Sequence, residues 1–184
     1  LRQITHREGL SRILFSQRDG CLQHRLFASV CSDVNSQPFW CFRMAYMDAD
    51  DAYQNYLKSV YIPGQSIIFD LHGAFKTGRP LFERLFGAVP RVHIFSVPTG
   101  RADIPSSITY DFSGGNSIEL LNLDSAGPII RMLENGTLVR APITDYDVEI
   151  GNFYSQTLDR FLALLQFHIH EIRHEIATLN TGFT

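Results

Sequence analysis

The residues most suggestive of chemistry lie near the end of the chain, where His170-Glu171-Ile172-Arg173-His174 has the H-E-x-x-H spacing. On a helix that spacing sets two imidazoles one turn apart, able to share a zinc ion while the glutamate activates a water. The surrounding residues weigh against it. Leu158, Leu162, Leu165, Ile169, Ile172, Ile176 and Leu179 alternate four and three apart, an a/d seam over three heptads. In that register His170, Glu171 and His174 fall at b, c and f, away from the seam. Arg173 would place a cation beside the metal, and a third ligand would have to come from upstream, from His72 or His93. The favoured reading is a solvated helix face, with a zinc-dependent hydrolase using His170, Glu171 and His174 as the minority reading.

Other catalytic patterns are weaker still. The chain has no G-x-S-x-G, no phosphate-loop signature and no G-x-G-x-x-G. Ser113-Gly114-Gly115 reads as a hairpin connection before it reads as a phosphate cradle. Asp145 and Asp147 fall on one face of an expected strand, where solvated edge charges are the default.

The elements that must position these residues follow from periodicity. A short helix is expected within residues 1–15 and a turn at Asp19-Gly20. Strands are expected over Cys21–Cys31 (CLQHRLFASVC) and Phe39–Met47 (FWCFRMAYM), because both are aromatic-rich or alternating. Asp48-Ala49-Asp50-Asp51 supplies a helix cap and an acidic first turn, and Ala52, Tyr53, Tyr56, Leu57 and Val60 continue at helical spacing up to Pro63-Gly64. SIIFDL (66–71) reads as a strand, and residues 81–86 as a helical turn or an edge strand. Beyond Pro90 six short apolar segments, RVHIFSV, SSITYDF, NSIELLNL, PIIRML, TLVRA and YDVEIGNF, alternate with turn residues, a pattern that suggests a small barrel or sandwich. A closing helix is expected over 156–179.

The predicted fold class is therefore α+β, mainly antiparallel, with two domains: an α+β unit over 1–90, and a barrel-like unit with the C-terminal helix over 91–184. The heptad seam leaves two arrangements open, packing on the protein's own domain or pairing with another copy. Isoleucine at both a and d favours more than two strands in the second case, which would make the chain a structural or assembly protein.

Composition narrows the class. Apolar residues make up 45% of the 184, the formal net charge is −3, and neither a basic nucleic-acid footprint nor an apolar run of membrane-spanning length is present. Cys21, Cys31 and Cys41 are odd in number and form no C-x-x-C pair, which points to a reducing, cytoplasmic setting without disulfides or structural zinc. Asn135-Gly136-Thr137 is formally a glycosylation sequon, and the leading Leu1 suggests a piece of a longer protein.

One stretch carries a resemblance. NSIELLNLDSAGPIIRML (116–133) places an Asn-x-Asp-Ser-Ala-Gly turn between two strands and resembles the [D/N]-x-S-x-x-G turn of PilZ domains. RVHIFSVP (91–98) resembles the first strand of that barrel, and YDVEIGNF with the following helix its last strand and closing helix. The first 90 residues are similar to the split-barrel domain that precedes PilZ in flagellar-brake proteins. The resemblance implies a non-enzymatic regulatory or adaptor module that binds cyclic di-GMP or, as a degenerate member, acts through protein contacts. It implies ligand contacts from Asn122, Ser125 and Gly127, with Arg84 and Arg91 as the nearest anion-binding arginines and no other cofactor. Two departures stand out: no two arginines are four apart, and Asp124 occupies the serine position of the turn.

Overall fold

The chain was described from a computed structural model covering residues 1–17, 20–72, 75–96, 129–143 and 145–181. Its centre is a run of three consecutive side chains, Ile13, Leu14 and Phe15, each fully shielded from solvent. Adjacent residues of a strand point to opposite faces, so three shielded in succession require cover on both sides. Ile67, Ile68 and Phe69 meet the same demand, at 1%, 0% and 3% exposure.

The sheet that results is parallel. Strands β1 (Arg12–Gln17), β2 (Ser36–Trp40), β3 (Ser66–His72) and β4 (Val92–Ser96) lie in the order β2-β1-β3-β4, every neighbouring pair parallel. Parallel neighbours need long crossovers, and helices supply them. Helix α1 (Arg2–Arg7) precedes β1; α2 (Cys21–Val30) joins β1 to β2; α3 (Arg43–Met47) and α4 (Asp51–Val60) join β2 to β3; α5 (Arg79–Phe86) joins β3 to β4. On one face Ile13, Phe15, Ile67 and Phe69 pack with Ile4 of α1 and Phe27 of α2. On the other, Leu14, Phe39 and Ile68 pack with Tyr53 and Leu57 of α4 and with Leu81 and Phe82 of α5.

This arrangement corrects the antiparallel expectation. The run 21–31 is a helix because Leu22, Leu26, Phe27 and Val30 share one side at a helical period, and Phe27 and His24 place their rings 5.5 Å and 5.3 Å from Phe15. The run 39–47 is strand only to Trp40 and becomes α3. RVHIFSV is not the first strand of an antiparallel barrel: β4 pairs parallel with β3. PIIRML and TLVRA do form the expected antiparallel hairpin, β5 (Ile129–Met132) and β6 (Leu138–Arg140), turning at Gly136 with φ +81°. The segments SSITYDF and NSIELLNL lie outside the described residues.

YDVEIGNF belongs to a helix, not to a closing strand: α6 spans Asp145–Phe167, and α7, Ile169–Thr181, follows after a break at His168. The acidic cap was legible in the sequence. Asp50 Oδ1 accepts from the Tyr53 backbone N–H at 2.9 Å, and Tyr53 and Leu57 are buried. At the start of the chain, Arg2 Nε donates to both oxygens of Asp33, at 3.1 and 2.9 Å, tying α1 to the loop after α2. Among the described residues no helix is long and apolar enough to cross a membrane.

Two outcomes follow from this packing. Leu57→Ala should cost about 2–5 kcal/mol in denaturant unfolding, because the site is closed on all sides, whereas Leu164→Ala, at 67% exposure, should stay within about 0.5 kcal/mol. The Arg2 guanidinium holds the Asp33 carboxyl down from 3.8 to about 2. A depressed acid stabilises the fold above its unfolded pKa and loses that contribution as pH falls through its folded one. Melting temperature should therefore fall between about pH 4 and pH 2 with a slope that Asp33→Asn reduces.

Candidate functional site

In an open parallel sheet the crevice for ligands lies beyond the carboxyl ends of the strands, where the order reverses. Here the chain leaves β1 toward β2 on one side and returns to β3 on the other, so that point falls between β1 and β3. On each strand a run of three apolar residues is followed by a polar one: Ile-Leu-Phe then Ser16 on β1, Ile-Ile-Phe then Asp70 on β3. Phe15 is paired with Phe69, so Ser16 and Asp70 are lateral neighbours one step further along, on the face shared by Leu14 and Ile68.

Helix α3 covers this end with aromatic rings. Tyr46 lies 5.5 Å from Phe75 and 6.0 Å from Tyr53, and Phe42 lies 5.2 Å from Tyr53, centre to centre. Tyr53 donates its hydroxyl to the Trp40 carbonyl at 3.0 Å, while the Trp40 N–H donates to the Tyr56 hydroxyl at 2.8 Å. Phe75 sits at φ +52°, a left-handed conformation that costs a non-glycine residue on the order of 1–3 kcal/mol. Gly78 is held against it: a Cβ there would come within 2.7 Å of the Phe75 ring and 3.2 Å of Tyr46.

Ser16 is 1% exposed, and among the described residues neither its Oγ nor the shielded hydroxyl of Tyr46 makes a hydrogen bond of good geometry, the Tyr53 side chain being the polar neighbour of Tyr46. Burial, with Cys41, Tyr53 and Asp70 close by, raises the Tyr46 phenol well above its ordinary pKa, so it remains a neutral donor. Gln17 lies between two thiols: Cys21 donates to its side-chain oxygen at 2.8 Å, and Cys41 to its backbone carbonyl at 3.5 Å. Beside the cluster opens a cleft of about 340 Å³ between α3, the start of α4 and β5, lined by Phe42, Ala45, Asp48, Asp50, Arg131 and Met132 among others. Arg131 reaches Asp50 at 3.6 Å, and Arg140 of β6 lies over the Trp40 ring at 5.9 Å, so the hairpin is held against this end of the sheet.

The residues singled out from sequence are dispersed. Asn122, Ser125 and Gly127 lie outside the described residues. Arg84 is exposed on α5. Arg91 pairs with Glu8 and lines a separate cleft of about 270 Å³ with Tyr61 and Phe86, before the start of β4. His170, Glu171 and His174 are all exposed, and Glu171 is engaged by His168 Nδ1 at 3.0 Å. That contact makes Glu171 part of the start of α7: His168 occupies the break, and the glutamate three residues on reaches back to it. Among the described residues no group of three or more His, Cys, Asp or Glu is placed to hold a metal.

From Leu158 to Ile172 the heptad seam lies on the shielded side of α6 and α7. Leu162 is buried, Leu158, Leu165, Ile169 and Ile172 are half-buried, and the side chains of Ile176 and Leu179 lie outside the description. On this side α6 and α7 contact α2, where Arg25 pairs with Asp159 and Arg173 donates to the Ser29 carbonyl at 3.1 Å. The more exposed apolar side chains, Phe153, Phe161, Leu164 and Phe167, occupy a different side of α6.

Compared with known families, curated proteins and solved structures, the chain matches none of them. The site is therefore defined by its own geometry. Sequence reading passed over Ser16, Tyr46 and Asp70. The signal was available in the two apolar runs that end in polar residues, but it acquires meaning only once both strands are known to be parallel and central.

Seam packing within one chain has a measurable consequence. Leu162→Ala should lower unfolding stability by about 2 kcal/mol or more while leaving the mass in analytical ultracentrifugation unchanged. A seam that joined copies would instead change the mass.

Proposed function

We propose that this chain is a non-enzymatic regulatory or adaptor module that binds a small polar molecule at the carboxyl ends of β1 and β3. The observation that carries the reading is the pair of buried hydroxyls, Ser16 and Tyr46, that lack a well-formed hydrogen bond among the described residues, with Asp70 beside Ser16 on the neighbouring strand. A buried polar group without a partner costs about 1–3 kcal/mol, and folds retain such groups mainly where something else satisfies them. Phe75 in its left-handed conformation and Gly78 packed against two rings support the same reading, since local strain concentrates where ligands are held. In this reading the regulatory role expected from the sequence is exercised at the end of a parallel sheet instead of a barrel mouth.

A second reading, a module that responds to cyclic di-GMP, is favoured by one observation. Arg91 shares its cleft with the aromatic rings of Tyr61 and Phe86, and a guanidinium beside rings suits a phosphate and a purine. It requires Arg91 to leave Glu8. A melting-temperature rise at about 100 μM cyclic di-GMP, abolished by Arg91→Ala, would establish it; the sheet-end reading expects none.

The primary reading is tested by removing the hydroxyls. Ser16→Ala and Tyr46→Phe should each stabilise the ligand-free protein by about 1 kcal/mol, raising the melting temperature by roughly 2–4 °C. If both variants melt lower than the parent, the hydroxyls serve the fold alone and the reading fails.

A further inference from the structure

The cleft beside the aromatic cluster carries charges of both signs on an apolar lining, and the geometry points to its ligand class. We propose that it binds an α-amino acid with an apolar side chain. The cleft adjoins the aromatic cluster through Phe42 and Tyr53 but is lined by none of Ser16, Tyr46 and Asp70, so the proposal goes beyond the sheet-end reading and does not depend on it.

Phe42, Ala45 and Met132 form an apolar wall, and Met132 is only 3% exposed. Asp48 stands at the cleft with no ion pair or hydrogen bond to a described residue, so its carboxylate is available to a donor-rich group such as an ammonium. Arg131 is available for the opposite charge. Its contact with Asp50 is 3.6 Å, longer than a hydrogen bond, with the two side chains 66% and 40% exposed. Exposed pairs of this kind contribute little, and a ligand carboxylate that engages the guanidinium with two parallel hydrogen bonds can displace it. Asp50 is not left idle by that exchange, because its Oδ1 already caps α4 through the Tyr53 N–H.

The charges also exclude simpler ligands. An anion alone would meet Asp48 and Asp50, and a cation alone would meet Arg131. A zwitterion satisfies both: ammonium toward Asp48, carboxylate toward Arg131, side chain against Phe42 and Met132. At about 340 Å³ the cleft is at the small end of ligand sites, a size that suits a single amino acid.

The test is calorimetric titration of the whole chain with L-phenylalanine, L-leucine, phenethylamine and 3-phenylpropanoate. The two amino acids should bind, and each half-charged analogue should bind at least about tenfold more weakly than L-phenylalanine. Asp48→Asn should weaken L-phenylalanine by about tenfold without affecting 3-phenylpropanoate, and Arg131→Gln should weaken it without affecting phenethylamine. Both side chains are exposed, so each variant should melt with the parent when no ligand is present. Phenethylamine or 3-phenylpropanoate binding as tightly as L-phenylalanine would overturn the zwitterion, as would no binding by either amino acid. Either result would leave the sheet-end reading standing, because Ser16→Ala and Tyr46→Phe decide it separately. Destabilisation by those two variants would remove the sheet-end reading itself.

Discussion

Double-sided burial of β1 and β3 is the constraint on which the rest of this structure depends. Ile13, Leu14 and Phe15 exclude solvent on both faces of the sheet at once, as do Ile67, Ile68 and Phe69. Such strands need helices above and below, and joining parallel strands requires connections long enough to contain them. The two apolar clusters, one under α1 and α2 and the other under α4 and α5, are the consequence. The position of the site follows from the same fact. Once β1 and β3 are central and parallel, their carboxyl ends lie side by side, and the first residues after the apolar run are brought together at one end.

That end combines rigidity with unsatisfied polarity. The rings of Phe42, Tyr46, Tyr53 and Phe75 form a continuous contact network, and Trp40 is fixed through its own backbone groups by two tyrosines. Within this stiff frame Ser16 and Tyr46 keep hydroxyls without a well-formed hydrogen bond among the described residues. A structural role alone would be better served by alanine and phenylalanine at these two positions, which is the physical reason to attach function here. The hairpin β5–β6 adds the outer wall: Met132 enters the core, while Arg131 and Arg140 reach Asp50 and Trp40.

The H-E-x-x-H spelling shows how a motif can be accounted for by local structure. Glu171 belongs to the first turn of α7, where it meets His168 at the break between two helices. The same break separates the heptad seam into two helices, and the seam lies on the side that meets α2, with Arg25, Asp159, Ser29 and Arg173 bridging the elements. The strand expectation for 21–31 failed for a related reason. Alternation and aromatic content were read there as a period of two, while Leu22, Leu26, Phe27 and Val30 also satisfy a helical face, and only the need to cover Phe15 decides between them.

Local rules in the sequence determined the elements whose signals are contained within a few residues. These are the Asp50 cap with the helix behind it, the apolar strand 66–71, the hairpin turning at Gly136, and the helical character of the C-terminal segment. Tertiary structure decided what local pattern cannot encode. A short apolar run is compatible with a parallel or an antiparallel neighbour, because strand direction depends on the crossover and not on the run itself. The meeting of Ser16 with Asp70 spans 54 residues of sequence, and the placement of Tyr46 above them depends on where α3 packs. Neither relation has a local signature, so the candidate site became visible only when the sheet brought its ends together.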